Sequence, residues 1–291
     1  MIKSGYIAIV GRTSVGKSTF LNNYLGEKVS ITSNKPQTTR EQIIGIKTLS
    51  DAQFVFIDTP GFHKPKHQLG NYLSKEAISG LNSADLVLYM VDKEYSFAED
   101  YVIRHLKNLD VPVLLVINKI DLLTSKPAID KIIISYLDKY DFKGVFPISS
   151  KAETHFEHLT EAIKKFLKPQ GYFYEKDQVT TQTELQRAAE IIREKILFHT
   201  EEEVPHAVGV VIEYARMEGH LYVMYVTIYV ERDSQKGILI GKGGKLLKQI
   251  GTESRLEINE ILETKVHLNL YVKVKKGWRN NLNELRGLGY V

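Results

Sequence analysis

The sequence contains no cysteine and no long hydrophobic run. Without cysteine the chain forms no disulfide and no thiolate metal site, which fits a protein of a reducing compartment. No segment approaches the roughly 18 uncharged apolar residues that a membrane-spanning helix requires, so we expect no transmembrane segment. Residues 1–5 lead directly into an apolar strand pattern and leave no room for a signal peptide. These absences together favour a cytoplasmic protein.

The net charge of the chain is also small. The 291 residues include 39 lysines and arginines against 35 acidic residues, a net charge of +4, which permits a polyanionic partner without requiring one. The excess is local, because residues 265–286 carry six basic side chains against Glu284 alone. The length and the 43% hydrophobic content are sufficient for two domains with separate cores.

Strand-like and helical patterns alternate over residues 1–167. The predicted strands are the apolar runs Ile7–Val10, Phe54–Ile57, Leu86–Val91, Val113–Ile117 and Val145–Pro147. Regular alternation predicts an α/β domain with a mainly parallel sheet and helices on both faces. Ligands of such sheets bind at the carboxyl ends of the strands, and several motifs begin at these ends.

A breaker cluster at residues 168–171 separates this pattern from a different one. We predict a first domain over residues 1–170, a linker over 171–183 and a second domain over 184–291. The second domain has an α+β pattern in which a glycine-rich loop precedes the last long helix and strand. Its predicted elements are Glu184–His199, Ala207–Tyr214, Leu221–Val230, Lys245–Leu262 and Val266–Val274.

The run Gly11–Ser18 reads G-x-x-x-x-G-K-S between a strand pattern and a helical one, the arrangement of a P-loop. Its backbone N–H groups and the start of the following helix favour bound phosphate, so the predicted ligand is a nucleoside triphosphate. Lys17 is expected to reach the β- and γ-phosphates as a catalytic group, and the Ser18 hydroxyl to bind Mg²⁺. The expected nucleotide contacts are Gly11, Arg12, Thr13, Ser14, Val15, Gly16, Lys17, Ser18 and Thr19.

A second motif, Asp58-Thr59-Pro60-Gly61, follows the strand Phe54–Ile57. Asp58 can hold Mg²⁺ and the Gly61 backbone N–H can sense the γ-phosphate, which makes Gly61 a catalytic candidate. An ordinary turn is the alternative, and the P-loop upstream favours the functional interpretation. The expected nucleotide contacts here are Asp58, Thr59, Pro60 and Gly61.

A third motif, N-K-x-D at Asn118–Asp121, follows the strand Val113–Ile117. The Asp121 carboxylate can accept hydrogen bonds from the N1–H and the exocyclic amine of guanine, whereas adenine offers neither donor at that edge. The motif therefore selects GTP. The expected contacts of the base are Asn118, Lys119 and Asp121, with Ser149, Ser150 and Lys151 after the strand Val145–Pro147.

The segment Lys35–Arg40 lies where a nucleotide-sensitive switch is expected, and a threonine there can complete the Mg²⁺ shell. An exposed polar loop is the alternative. Phe62 follows Gly61 and cannot orient a water molecule as a glutamine does, so slow intrinsic hydrolysis is expected. His63 is interpreted as a solvated loop histidine rather than a substitute base.

A second glycine loop, G-x-x-G at Gly241–Gly244, opens onto the predicted helix Lys245–Leu262. The α-β-β-α-α-β order matches a type II KH domain, whose loop clamps the backbone of about four nucleotides. A tight helix–helix turn, or a solvated basic face for the later lysines, is the alternative. The expected RNA contacts are Ile238, Leu239, Ile240, Gly241, Lys242, Gly243, Gly244, Lys245, Lys273 and Lys275.

These motifs, in this order and with Trp278-Arg279 near the end, resemble the Era family of bacterial GTPases over nearly the whole chain. The resemblance implies a Mg²⁺-dependent GTPase that binds the 3′ end of small-subunit ribosomal RNA and assists maturation of the 30S subunit. It also implies a loose, peripheral association with the inner face of the cell membrane. It favours Thr39 as the switch threonine, a catalytic and Mg²⁺-binding residue, and we expect a monomer.

One departure from the family pattern is informative. The family usually has asparagine where this chain has Ser14, and that asparagine is associated with a potassium ion that assists hydrolysis in related proteins. Serine is shorter, which puts potassium dependence in question for this chain.

Two other functions remain open from the sequence. One is an RNA-binding module whose GTPase half is only structural. The other is a GTPase that regulates a membrane-associated or protein partner, with the KH fold as a docking module.

Overall fold

The computed structural model describes residues 1–62, 65, 67–123 and 125–290. The chain divides into two compact units. The first comprises Met1–Pro65 and Leu73–Thr181, and the second comprises Lys66–Tyr72 and Gln182–Val291.

A seven-stranded sheet forms the centre of the first unit, in the order β2-β3-β1-β4-β5-β6, with β7 paired to β1. The strands are β1 (Lys3–Val10), β2 (Ile43–Thr48), β3 (Ala52–Asp58), β4 (Leu86–Val91), β5 (Val113–Ile117), β6 (Val145–Pro147) and β7 (Lys168–Pro169). The five predicted strands are confirmed, and they run parallel. The antiparallel edge strand β2 was not predicted.

Helices lie on both faces of this sheet, as predicted. They are α1 (Lys17–Leu25), α2 (Gln68–Asn82), α3 (Asp100–Leu106), α4 (Lys126–Leu137) and α5 (Phe156–Phe166). Strands β3, β4 and β5 are buried along their whole length, because apolar clusters cover both of their faces. This double burial explains why their sequences are continuously apolar.

The segment predicted as a linker packs against the first unit. The Ile46 N–H donates to the Val179 carbonyl at 2.7 Å, and the Thr180 hydroxyl donates to the Ile44 carbonyl at 2.7 Å. The buried Gln53 side chain accepts from the backbone N–H of Phe173 at 2.8 Å. Residues up to Thr181 therefore group with the first unit.

The second unit has a three-stranded sheet in the order β10-β9-β8, with β8 antiparallel and β10 parallel to β9. The strands are β8 (Gly209–Glu218), β9 (Leu221–Val230) and β10 (Lys265–Val274), and the helices are α6 (Glu184–His199), α7 (Val204–Ala207), α8 (Asp233–Ile240), α9 (Lys245–Leu262) and α10 (Leu282–Gly287). The predicted α+β order is confirmed, and α7 and α10 are additions to it.

Within the described residues, no helix is long and apolar enough to cross a membrane.

Candidate functional site

The P-loop connects β1 to α1 and requires glycine at one position in particular. Gly16 has φ 99°, and a Cβ atom there would lie 2.3 Å from the Asn118 side-chain nitrogen. Lys17, the first residue of α1, is buried and donates from Nζ to the carbonyl oxygens of Gly11 at 3.2 Å and Arg12 at 2.9 Å. Burial lowers the pKa of Lys17 to about 8, although Asp58 opposes this shift. The ammonium therefore lies inside the loop that is predicted to hold phosphate.

Oxygen atoms of three predicted Mg²⁺ ligands converge beside this lysine. The fully buried Asp58 carboxylate accepts from the Ser18 hydroxyl at 2.7 Å, and the Ser18 and Thr39 hydroxyl oxygens lie 3.0 Å apart. Within the described part of the chain, Asp58 Oδ1 has no hydrogen-bond partner. Burial raises the pKa of Asp58, and Lys17 together with the neighbouring hydroxyls opposes this. A cluster of hard oxygen donors with an orphaned carboxylate oxygen fits Mg²⁺.

Ser30 also donates to the Asp58 carboxylate, at 3.0 Å, and was not predicted as a site residue. It lies outside every motif, so no local pattern indicates its role. Its contact with Asp58 depends on how the chain after α1 returns to the sheet.

The predicted switch segment lies against the P-loop. Thr39 is buried, and the cleft above Gly16 and Lys17 is lined by residues 32–35 and 37–39 together with Gly61. The Ser14 hydroxyl faces the Asn34 carbonyl oxygen at 3.4 Å. The segment is therefore placed to contact a triphosphate held in the cleft.

The motif after β3 brings Gly61 close to the P-loop. A Cβ atom at Gly61 would lie 2.6–2.9 Å from atoms of Thr13, so the close approach requires glycine. Phe62 is buried, and its ring packs against Tyr101 and His105 of α3 at centroid distances of 6.1 and 5.7 Å. The side chain after Gly61 is thus part of the core. His63 lies outside the described residues.

The predicted base-binding residues meet where β5 and β6 end. Asn118 is buried, donates to the Val15 carbonyl at 2.8 Å and accepts from the Ser150 N–H at 2.9 Å. It therefore connects the P-loop to the loop after β6. Lys119 donates to the Ser14 carbonyl and to Asp92, both at 2.7 Å.

The Asp121 carboxylate is exposed at the mouth of this site, and the Ser149 hydroxyl donates to it. Ser149 therefore fixes the orientation of Asp121, a role that the sequence did not indicate. Lys151 is exposed. Asp92, the partner of Lys119, was also missed, because it follows β4 and belongs to no recognisable motif.

Glu99 is a buried carboxylate next to the P-loop that was not predicted either. It accepts from the Tyr89 hydroxyl at 2.6 Å and lies 3.5 Å from an Arg12 guanidinium nitrogen. Burial raises the pKa of Glu99, and its contacts with Tyr89 and Arg12 oppose the shift. Glu99 therefore connects Arg12, at the start of the P-loop, to the buried Tyr89 of β4.

The second glycine loop joins α8 to α9, as predicted. Gly241, Gly243 and Gly244 have φ values of 73°, 62° and 77°, which other residues rarely adopt. Lys242 and Lys245 are exposed beside them. The loop therefore presents bare backbone and positive charge at the start of a helix, which suits a phosphate chain.

The structure corrects the apolar part of the predicted RNA site. Leu239 is fully buried in the core of the unit and is not available to a ligand, because its face of α8 packs on the sheet. Ile240 is partly buried against the same core, whereas Ile238 is 53% exposed. Lys273 lies on the face of β10 opposite to the core residues, and Lys275, which follows the strand, is paired with Glu284.

A groove with mixed polar and apolar walls runs instead between α9 and β10, starting at Gly244. Gly251 lies along it, and a Cβ atom there would be 3.2 Å from Leu270. Its lining side chains on α9 recur at intervals of three and four residues, a signal that could have revealed them. The lining residues are Gly244, Leu247, Lys248, Gly251, Thr252, Arg255, His267, Leu268 and Leu270.

Comparisons with known proteins identify the families of the two units. Residues 6–119 match the family described as 50S ribosome-binding GTPase, and residues 203–279 match the KH domain family. A structure of Era in complex with MgGDPNP and nucleotides 1506–1542 of 16S ribosomal RNA is similar over 100% of both chains, with 36% identity and a TM-score of 0.97. A point variant of Aquifex aeolicus Era bound to GDP and AlF4⁻ is similar over 100% of both chains, with 37% identity and a TM-score of 0.94. The chain belongs to the Era family, with a P-loop GTPase domain followed by a KH domain.

Proposed function

We propose that this protein is a GTP-hydrolysing switch that binds the 3′ region of small-subunit ribosomal RNA and assists maturation of the 30S subunit. The observation that carries the proposal is the presence of two phosphate-binding glycine loops in one chain, each with its own recognition groups. The related Era structure, which holds a GTP analogue and a 16S RNA segment, has the same arrangement along its full length.

In this proposal, the GTPase half works through the residues of its three motifs. Lys17 supplies positive charge to the β- and γ-phosphates from within the P-loop, and the Gly61 N–H contacts the γ-phosphate. Ser18, Thr39 and Asp58 would hold Mg²⁺, which would neutralise part of the phosphate charge. Asn118, Lys119 and Asp121 orient guanine, and Ser149 holds Asp121 in position. Arg12, Thr13, Thr19, Thr59 and Pro60 complete the proposed nucleotide site.

Hydrolysis is expected to be slow without a stimulating partner. The side chain that follows Gly61 is the buried Phe62, which offers no hydrogen bond to an attacking water molecule. We also propose that potassium does not accelerate the reaction, because Ser14 offers only a short hydroxyl at the position where the family has asparagine.

The RNA half combines the glycine loop with the groove between α9 and β10. Lys242 and Lys245 contact the phosphate chain, and unpaired bases enter the groove past Gly251 and Leu268. A cytoplasmic location, a monomeric state and a peripheral membrane association complete the proposal, and they are supported by family membership alone.

The base assignment is tested with Asp121→Asn. An asparagine amide donates where guanine also donates, so we expect weaker GTP binding and a shifted preference toward xanthosine triphosphate, whose 2-oxo group accepts a hydrogen bond. The measurement is the hydrolysis rate of both nucleotides with the wild type and the variant. An unchanged preference for GTP would contradict the assignment.

The RNA assignment is tested by crosslinking the full-length protein to cellular RNA and sequencing the product. We expect the 3′ end of small-subunit ribosomal RNA to be recovered, and we expect Gly243→Asp with Gly244→Asp to abolish recovery while GTP hydrolysis persists. RNA recovery that survives both changes would favour a partner-docking role for the KH domain instead.

A further inference from the structure

The sheet of the KH domain has a second face, opposite to its core. Met224, Val226 and Ile228 of β9 are fully buried on the core face. The residues that alternate with them point the other way, because successive side chains of a strand lie on opposite sides of a sheet. Tyr225 and Tyr229 are therefore on the second face.

The strand register brings two further tyrosines to this face. Tyr225 lies opposite Tyr214 of β8, and Thr227, the next residue of β9 on this face, lies opposite Tyr271 of β10. We call Tyr214, Tyr225, Tyr229 and Tyr271 the tyrosine face. Tyr214 is 44% exposed and Tyr271 is 52% exposed.

Positive side chains surround these rings. The Arg216 guanidinium lies 5.2 Å from the centre of the Tyr214 ring, and the Lys275 ammonium lies 4.9 Å from the centre of the Tyr229 ring. Lys273 lies opposite Tyr229 in the register. The rings of Tyr214 and Tyr225 are 5.6 Å apart and tilted by 37°. The face thus presents flat aromatic surface with cations at its edges.

Three acidic side chains also lie at this face, and each of them contacts one of its basic or tyrosine side chains. Glu218 pairs with Arg216, Glu284 pairs with Lys275, and Glu213 accepts from the Tyr229 hydroxyl at 3.0 Å. The Arg216–Glu218 pair is about half exposed, and exposed ion pairs of this kind stabilise a protein little. Its arginine can therefore exchange the carboxylate for an incoming phosphate at small cost.

An exposed aromatic sheet with basic edges is suited to unpaired nucleic-acid bases, which stack on tyrosine and extend their phosphates toward lysine and arginine. The related Era structure holds nucleotides 1506–1542 of 16S RNA, a segment several times longer than the roughly four nucleotides that one KH loop clamps. An RNA of that length therefore has nucleotides to spare for a second surface.

We propose that the tyrosine face is a second RNA-binding surface, which stacks unpaired bases of the RNA whose other segment lies in the groove beside Gly244. This inference rests on the proposed function. It assigns Tyr214 and Tyr271 as stacking groups, and Arg216 and Lys273 as phosphate contacts.

The test uses the full-length protein and fluorescence anisotropy with two RNAs. One is the complete 3′ segment of 16S RNA, and the other is a short piece of it, of about the length that the glycine loop clamps. The variants are Tyr214→Ala with Tyr271→Ala, and Tyr214→Phe with Tyr271→Phe, which keeps the rings. Phe198→Ala is the matched control, because Phe198 is a 77% exposed aromatic residue on helix α6.

We expect the double alanine variant to bind the long RNA roughly tenfold more weakly than the wild type, from the loss of base stacking. It should bind the short RNA like the wild type, and the double phenylalanine and Phe198→Ala variants should bind both RNAs normally. Unchanged affinity of the alanine variant for the long RNA would overturn the inference and leave a protein partner as the occupant of this face. Equal weakening for both RNAs would also overturn it. If the wild type binds neither RNA, the proposed function itself fails.

Discussion

Ser14 has a left-handed backbone conformation, with φ 64°, and its exposed hydroxyl points to the carbonyl oxygen of Asn34. Asparagine adopts this backbone region more readily than most residues, so Ser14→Asn can be introduced without strain. Its longer side chain places a carbonyl oxygen further into the cleft than the serine hydroxyl reaches. The residue at position 14 can therefore decide whether a monovalent cation takes part.

We expect the wild type to hydrolyse GTP at the same rate in potassium and sodium chloride of equal ionic strength. Ser14→Asn should become faster in potassium only, because its side-chain oxygen provides the missing ligand. Ser14→Ala is the control and should respond to neither salt. Potassium activation of the wild type would show that a backbone or other side-chain group replaces the asparagine.

Helix α9 contains glycine in its interior, where glycine destabilises a helix by about 1 kcal/mol relative to alanine. Gly251 occupies that position and lies in the groove, where an added Cβ atom would be 3.2 Å from a methyl carbon of Leu270. Gly251, which lowers the stability of the helix, thus lies where a ligand in the groove would approach the helix backbone.

Gly251→Leu should therefore abolish binding of short RNA in the groove while the free energy of unfolding stays within about 1 kcal/mol of the wild type, because the gain in helix propensity offsets the crowding at Leu270. Glu260→Leu places the same side chain at an exposed position of α9 and should leave RNA binding unchanged. The measurements are RNA titration and chemical denaturation of both variants. Normal RNA binding by Gly251→Leu would move the binding site away from this groove.

Elements with strong internal patterns were predictable from the sequence. The predicted bounds are those of the structure for strands β4, β5, β6 and β9 and helices α6 and α9. Strands β4 and β5 were clear because they are buried and uniformly apolar, and α9 was clear because it begins directly after its glycine loop. Strand β2 was missed because its pairing is antiparallel and at an edge, where the sequence carries less of an apolar signal.

The same contrast holds for the sites. Contiguous motifs such as Gly11–Ser18 predicted the residues that the fold gathers at the ends of the strands. Ser30, Asp92 and Glu99 act through long-range partners, and only the folded topology brings each of them to its motif. Leu239 was misassigned because a helical pattern alone does not tell which face of α8 packs on the sheet.

At the scale of the whole molecule, only a few residues of sequence separate Gly61 from a segment that belongs to the second unit. Gly61 is the proposed γ-phosphate contact, and residues 67–72 group with the KH domain rather than with the GTPase unit. A backbone movement at Gly61 would therefore have only a few residues of chain through which to reach the second unit. We expect GTP and RNA to influence each other's binding for this reason.

Such coupling is reciprocal, because the binding free energies of two ligands must give the same total in either order of binding. We expect a non-hydrolysable GTP analogue to change RNA affinity relative to GDP by a factor of roughly 5 to 150, the range of typical coupling energies. RNA must then change the ratio of analogue to GDP affinity by the same factor. Titrating RNA into each nucleotide complex, and each nucleotide into the RNA complex, measures both sides of this equality.

Thr39→Ala, which removes one proposed Mg²⁺ ligand, should bring the factor close to one while RNA binding itself remains. Equal RNA affinity of the wild type in the two nucleotide states would mean that the domains bind their ligands independently, and that hydrolysis does not control RNA release.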